Sequence, residues 1–249
     1  MIFGLTVVPP EMQGIGILGG MAPESTVEYY RTIIEASHDR GWEKRYPQTY
    51  VNSLNFEAFY DPISNGEDAR VLEVLSGGVE DLARAGADFA LFASNTPHRY
   101  FEDVAAEASI PMLSIVDATG DAAVDRGFER VGLLGTLFTM EGEFYPSGFA
   151  ERDLEIATPT ASEREWVHEK IFSELTSGQF TDETKAGLIE AVEGMQARDD
   201  IDAVALACTE LPLIIDESDV DVPILNTTEL HARAAFDRAT ATAESVRAD

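Results

Sequence analysis

The chemistry of this chain starts from a lone thiol in Ala207-Cys208-Thr209-Glu210, placed directly after an apolar, strand-like run. A hydroxyl holds the matching place in Ala93-Ser94-Asn95-Thr96-Pro97-His98, after a run of the same kind. Each segment follows a glycine-rich strand end at nearly the same distance, Gly19 in the first half and Gly135 in the second. That is the pattern of one half-site made twice, able to face a single ligand from two sides. Two opposed proton carriers are what inversion of a carbon centre requires. A thiol at a strand end entering a helix is expected to have a lowered pKa. On composition alone, a lone cysteine reads as a small buried apolar residue. Asn95 and Thr96 offer hydrogen bonds to an α-carboxylate, and Thr209 is their counterpart. His98 is placed to act on the same loop or to serve the fold. Glu210 either orients the thiol or caps the helix that follows.

Gly14-Ile15-Gly16-Ile17-Leu18-Gly19 matches G-x-G-x-x-G, but a dinucleotide site needs a strand before the first glycine. Pro9 and Pro10 leave no room for one. The stretch from Gly19-Gly20-Met21-Ala22-Pro23 to Glu24-Ser25-Thr26 leads from strand into helix. There, free backbone N–H groups attract a carboxylate; the alternative is an ordinary tight turn plus helix start. Asp117-Ala-Thr-Gly120 and Asn226-Thr-Thr228 each follow a strand and read as turn and N-cap chemistry bordering a cleft.

The elements that must position these groups alternate. Strands are expected over 15–18, 50–54, 89–93 and 112–116, with helices to about 37, over 69–85 and over 100–108. The order then restarts, with strands over 130–134, 154–157, 203–207 and 222–225. Helices lie between them over 138–143, 163–175 and 182–197, and a closing helix covers 227–243. Alternation of this kind means α/β architecture, a parallel sheet with helices on both faces. Gly-Ile-Leu-Gly-Gly is echoed by Gly-Leu-Leu-Gly-Thr, so two similar sheets are expected to face each other across a cleft at their strand C-terminal ends. The first domain is expected to hold 12–115 plus 226–249, and the second 116–225; the first eleven residues read as an upstream extension.

Acidic residues number 46 against 17 basic ones, a net charge of −29, and the only lysines are Lys44, Lys170 and Lys185. A field of that sign repels nucleic acid and anionic lipid. It reads as solvation for concentrated salt, and therefore as the cytoplasm of a salt-loving host. No apolar stretch is long enough to span a membrane, and the short apolar start lacks the basic flank of a secretion signal. One cysteine permits no internal disulfide, and metal-ligand spacing is absent.

Taken together, these residues are similar to the aspartate/glutamate racemase family. The likeness runs from Met12 over nearly the whole chain. It rests on Gly16-Ile-Leu-Gly-Gly-Met-Ala-Pro-Glu-Ser-Thr26 and Ser94-Asn-Thr-Pro-His98 in the first half, and on Leu134-Gly-Thr136 with Thr139-Met140 and Phe144-Tyr145 in the second. Ala207-Cys-Thr-Glu210 and Asn226-Thr-Thr-Glu-Leu-His231 complete it. The resemblance implies two α/β domains related by pseudo-twofold symmetry, an active site at their interface, no cofactor, a small-molecule amino-acid substrate and a homodimer. It implies a 1,1-proton transfer, with Cys208 and Ser94 as the two catalytic groups. Met21, Ser25, Thr26, Asn95, Thr96, His98, Thr136, Arg164, Thr209 and Glu210 would bind the substrate.

Two departures shape the expectation. The usual family has cysteine at both half-sites, whereas Ser94 stands at the first here. A hydroxyl is a far weaker acid than a thiol, so catalysis is expected to be asymmetric or slow. Acidic-substrate members resemble one another in placing a basic residue after a Glu-Arg pair; here Glu163-Arg164-Glu165 is followed by Trp166. Glu57 likewise occupies a region where some members offer an arginine. Either Arg164 compensates or the substrate side chain is neutral or apolar. A single thiol also suits a decarboxylase-like enzyme of the same superfamily, which needs only one proton donor. A third reading is a non-catalytic amino-acid-binding protein that lost a base.

Overall fold

A computed structural model of the chain describes residues 12–245. The first eleven residues, read above as an extension, lie outside the described residues, as does the end of the 226–249 segment beyond 245. In chain order the elements are β1 Ile15–Gly19, α1 Pro23–Asp39, β2 Thr49–Ser53, α2 Phe56–Ser64, α3 Asp68–Ala85, β3 Phe89–Phe92, α4 Phe101–Glu107 and β4 Met112–Leu113. They continue with α5 Ile115–Asp125, β5 Arg130–Gly135, α6 Leu137–Met140, α7 Phe144–Ala150 and β6 Glu155–Ala157. The last are α8 Ala161–Ser173, α9 Asp182–Asp199, β7 Ala203–Ala207, β8 Ile224–Asn226 and α10 Thr227–Ser245.

The strands form two four-stranded sheets, ordered β2-β1-β3-β4 and β6-β5-β7-β8, and every pairing is parallel. The two orders are the same topology used twice, which is the repeat written in the sequence. The central strands are buried along their whole length in β1, β3 and β7, and all but one residue of β5. Helices cover both faces of each sheet, so these strands read as continuous apolar runs rather than alternating ones. Leu18, Leu75, Val79 and Phe92 pack on one face of the first sheet. Ile17, Phe89, Leu91 and Phe236 pack on the other, and Phe236 belongs to the closing helix α10. The second sheet is sandwiched the same way, by Val167, Leu188 and Met195 on one side and Ile115, Tyr145 and Phe149 on the other.

Two local expectations change. The fourth strand stops at Leu113, because Ser114 accepts the Asp117 N–H at 3.2 Å and starts α5. Asp117–Gly120 is thus the first half of a helix, not a turn. The Gly77-Gly78 pair does not break α3: a Cβ on Gly78 would collide with Leu18, so the glycine lets the helix lie close on β1. The second is α2, a helix absent from the pattern expected above. Asn226, by contrast, does cap its helix, accepting the Glu229 N–H at 3.2 Å.

Candidate active site

The register of the sheets decides which loops meet. In the first sheet Leu18 pairs with Phe92, and in the second Gly135 pairs with Ala207. Ser94 therefore emerges beside the end of β1, and Cys208 beside the end of β5. Both line one cleft, along with Met21, Ala22, Asn95 and Thr96 from the first half and Thr136, Thr209 and Glu210 from the second.

The turn from β1 into α1 is built for close approach. Gly20 adopts φ +84°, a conformation that favours glycine, and a side chain there would strike the Leu54 backbone. Its N–H donates to Thr26 Oγ1 at 2.9 Å, so Thr26 shapes the turn and does not line the cleft. Ala22 brings no side-chain cap, and Pro23 occupies the first turn. The first N–H groups of α1 therefore have no intrahelical or side-chain partner, beside residues that line the cleft.

Around Cys208 the hydrogen bonds form one connected set. The thiol donates to Glu210 Oε2 at 2.9 Å, and the Thr209 hydroxyl donates to the same oxygen at 2.9 Å. With its proton committed there, Thr209 Oγ1 accepts from the Ser25 hydroxyl at 2.9 Å, which ties the start of α1 to the second half. Glu210 does not cap the following turn; its carboxylate is spent on the thiol. The expected lowering of the thiol pKa is reversed. Burial pushes Cys208 well up, and the adjacent Glu210 carboxylate pushes further in the same direction. The residues after it form only a three-residue 3₁₀ turn, Leu211–Leu213, rather than an α-helix with a dipole to offset this. At neutral pH Cys208 is a thiol, poised beside a carboxylate. Glu210→Gln removes the neighbouring negative charge, so the thiol should ionise at lower pH than in the wild type. Thiolate ultraviolet absorbance, taken as the difference from a Cys208→Ala protein to remove the ionisation of the seven tyrosines, reads this for the chain's one cysteine.

The Asn95 side chain is held from two sides, one of them anchored in turn. Tyr145 Oη donates to Asn95 Oδ1 at 2.6 Å, Asn95 Nδ2 donates to Thr227 Oγ1 at 3.1 Å, and Thr227 donates to the Leu206 carbonyl at 3.0 Å. One Nδ2–H remains for a ligand. His98 does not reach the cleft. Ile115 N–H donates to its Nε2 at 3.0 Å, which places the proton on Nδ1, and Nδ1 donates to the Ser94 carbonyl at 2.9 Å. Burial and the neighbouring His231 hold it neutral, well below the ordinary histidine pKa. It positions the Ser94 loop from behind. Arg164 is also elsewhere: it pairs with Glu141 at 3.2 Å and donates to the Pro159 carbonyl at 2.8 Å. Trp166 packs over Gly187, outside the cleft. Among the described residues, no group of three His, Cys, Asp or Glu side chains is placed to hold a metal ion.

The residues that the sequence reading missed make up the cleft's far wall: Phe56, Phe59, Tyr60 and Ile63 from α2, with Phe138 and Phe172 from the second half. The signal was present, since 56, 59, 60 and 63 have the spacing of one helix face. Asn55 caps it, accepting the Glu57 N–H at 3.3 Å. Pro62 inside so short a segment hid the pattern.

Comparison with known proteins gives the same direction throughout. Residues 18–235 match the family profile for Asp/Glu/hydantoin racemases. A broad specificity amino-acid racemase of Bacillus subtilis is 25% identical over 88% of this chain and 95% of its own length. The crystal structure of an aspartate racemase homologue from Pyrococcus horikoshii is 37% identical, with a TM-score of 0.81 over 92% of this chain and 100% of that one. Picrophilus torridus aspartate racemase shares the fold at 23% identity, with a TM-score of 0.70 over 91% of this chain and 94% of its own.

Proposed function

We propose that this chain, which belongs to the Asp/Glu/hydantoin racemase family, is an amino-acid racemase that moves the α-proton through Cys208. The observation that carries this reading is the Cys208–Glu210 pair, thiol against carboxylate at 2.9 Å, in a cleft that Ser94 also lines. The α-carbon of an amino acid is a very weak acid, so two things are needed. The base must be strong, and the carbanion must be stabilised at its carboxylate. A thiol whose pKa is held up becomes, once ionised, a stronger base than an ordinary thiolate. The thiol proton passes to solvent base, and the Cys208 thiolate then takes the α-proton. The C–H electron pair passes into the carboxylate as an enediolate. The uncommitted Asn95 N–H, Thr96 and the backbone at Met21-Ala22 offer the donors it needs. Reprotonation from the opposite side comes from the Ser94 face, by the hydroxyl or by water that it orders. Thr136 borders the same space.

The substrate's α-ammonium finds its partner in Glu210, the one charged side chain among the described residues lining the cleft. We place this enzyme, as a homodimer, in the cytoplasm of a salt-loving host. The net charge of −29 supports the salt-loving setting, since molar salt screens repulsion between surface carboxylates. The test is solvent-deuterium incorporation at the α-position across a panel of free amino acids, followed by proton NMR in molar salt. Exchange with at least one is expected. No exchange with any, in a sample shown to be folded, overturns the reading.

The single thiol favours a second reading, one-sided protonation after loss of CO₂ from a malonate-type acid. Release of CO₂ from such substrates, with no α-exchange of amino acids, would select it.

A further inference from the structure

The cleft carries a second feature that proton transfer does not use. Phe56 stacks on Tyr60 with ring centroids 5.1 Å apart, and Tyr60 meets Phe172 at 5.5 Å. Phe172 meets His168 at 4.8 Å, and His168 meets Phe138 at 5.8 Å. The ladder runs from α2 in the first half to α8 and α6 in the second, and Phe56, Tyr60, Phe172 and Phe138 all line the cleft that holds Cys208. Phe59 and Ile63 back it, at 3% and 5% exposure. No lysine, arginine or histidine is among the described lining residues. The cation offered by sequence position, Arg164, is engaged by Glu141 and the Pro159 carbonyl.

A distal carboxylate in this space would meet aromatic rings on one side and the Glu210 carboxylate on the other. It would lose its hydration and gain no counter-charge. A large apolar side chain there loses only its contact with water, and aromatic rings are favourable neighbours for it. Resting on the racemase reading, we propose that the aromatic wall of α2 and Phe172 is a side-chain subsite for amino acids with bulky apolar or aromatic side chains, and that it rejects aspartate and glutamate. Glu210 and the carboxylate-binding donors then hold the two ends common to every amino acid, and the wall sets which one is turned over.

The experiment measures α-deuterium exchange of phenylalanine, leucine, methionine, aspartate and glutamate by the wild-type protein in molar salt. The apolar group should exceed the acidic pair in kcat/KM by roughly tenfold or more, the discrimination expected of an apolar pocket. Faster exchange of aspartate or glutamate overturns the subsite while leaving the racemase reading intact. If no amino acid exchanges, the racemase reading falls. Titration calorimetry of wild type with phenylalanine and with aspartate then decides the subsite: tighter phenylalanine sustains it, and tighter aspartate or equal affinity overturns it. Phe172→Arg places a cation in the last turn of α8, where the helix dipole tolerates it. It should lower phenylalanine turnover and raise that of aspartate. A folded variant with an unchanged ratio overturns the proposal, and the wild-type panel decides alone if the variant does not fold.

Discussion

Replacing Cys208 by alanine should abolish α-proton exchange, with a loss of roughly 10³-fold or more in kcat for any substrate the wild type turns over. The reason is chemical and local. Cys208 is the chain's one thiol, and it lines the cleft against the Glu210 carboxylate. With the sulfur gone, Glu210 remains the one ionisable group with a full charge lining the cleft. An ordinary carboxylate is a weaker base than a thiolate by about four pKa units. The substitution removes one small, half-buried atom group, so stability should change by no more than about 1 kcal/mol. Binding should survive, because the ammonium and carboxylate partners are untouched. Retention of more than a tenth of wild-type exchange in a folded C208A protein would show that the proton moves by another route. The pH dependence supplies an internal check. The thiol is held well above its ordinary range by burial and by Glu210, so wild-type exchange should keep rising into alkaline pH rather than level off near neutrality.

Ser94→Cys should speed racemisation, by tenfold or more. An aliphatic hydroxyl is a far weaker acid than a thiol, by several pKa units from the ordinary thiol value of about 8.5. At about 1.4 kcal/mol per unit, ionising the hydroxyl costs several kcal/mol more. The first-half loop has no acidic residue where the second has Glu210: after Ser94 come Asn95 and Thr96. The wild-type enzyme should therefore exchange protons on the Cys208 face faster than it inverts the carbon. Deuterium would enter one enantiomer with retention before the mirror form accumulates. A thiol at position 94 should bring the exchange and inversion rates together. The loop that carries it is braced independently of the side chain, since His98 holds the Ser94 carbonyl and Asn95 is tied to Tyr145 and Thr227. Unchanged or reduced inversion in a folded S94C protein would mean that the second proton does not travel through this position.

The architecture was legible in the chain because its causes are local. Ile15–Gly19, Phe89–Phe92 and Ala203–Ala207 read as strands without alternation, and that by itself implies burial on both faces and a parallel sheet. The paired Gly-rich strand ends, and the small polar residues after the third strand of each half, announced a repeat. Identical sheet orders followed from it. The candidate thiol, the hydroxyl opposite number and the Asn-Thr and Thr-Glu dipeptides also stood out, because residue type alone limits what each can donate or accept.

What the chain by itself could not determine depends on neighbours distant in sequence. The direction of the Cys208 pKa was inverted, since the sequence shows a strand end but not the burial that penalises a thiolate. His98 changed from a ligand candidate to a brace when Ile115, 17 residues on, claimed its second nitrogen. Arg164 was withdrawn from the cleft by Glu141, 23 residues before it. The apolar wall arises only when α2 meets Phe172 across the two halves, and no single segment contains it. Periodicity and residue chemistry fix elements and possible roles, whereas desolvation, tautomer and charge partner are set by what the folded chain packs alongside.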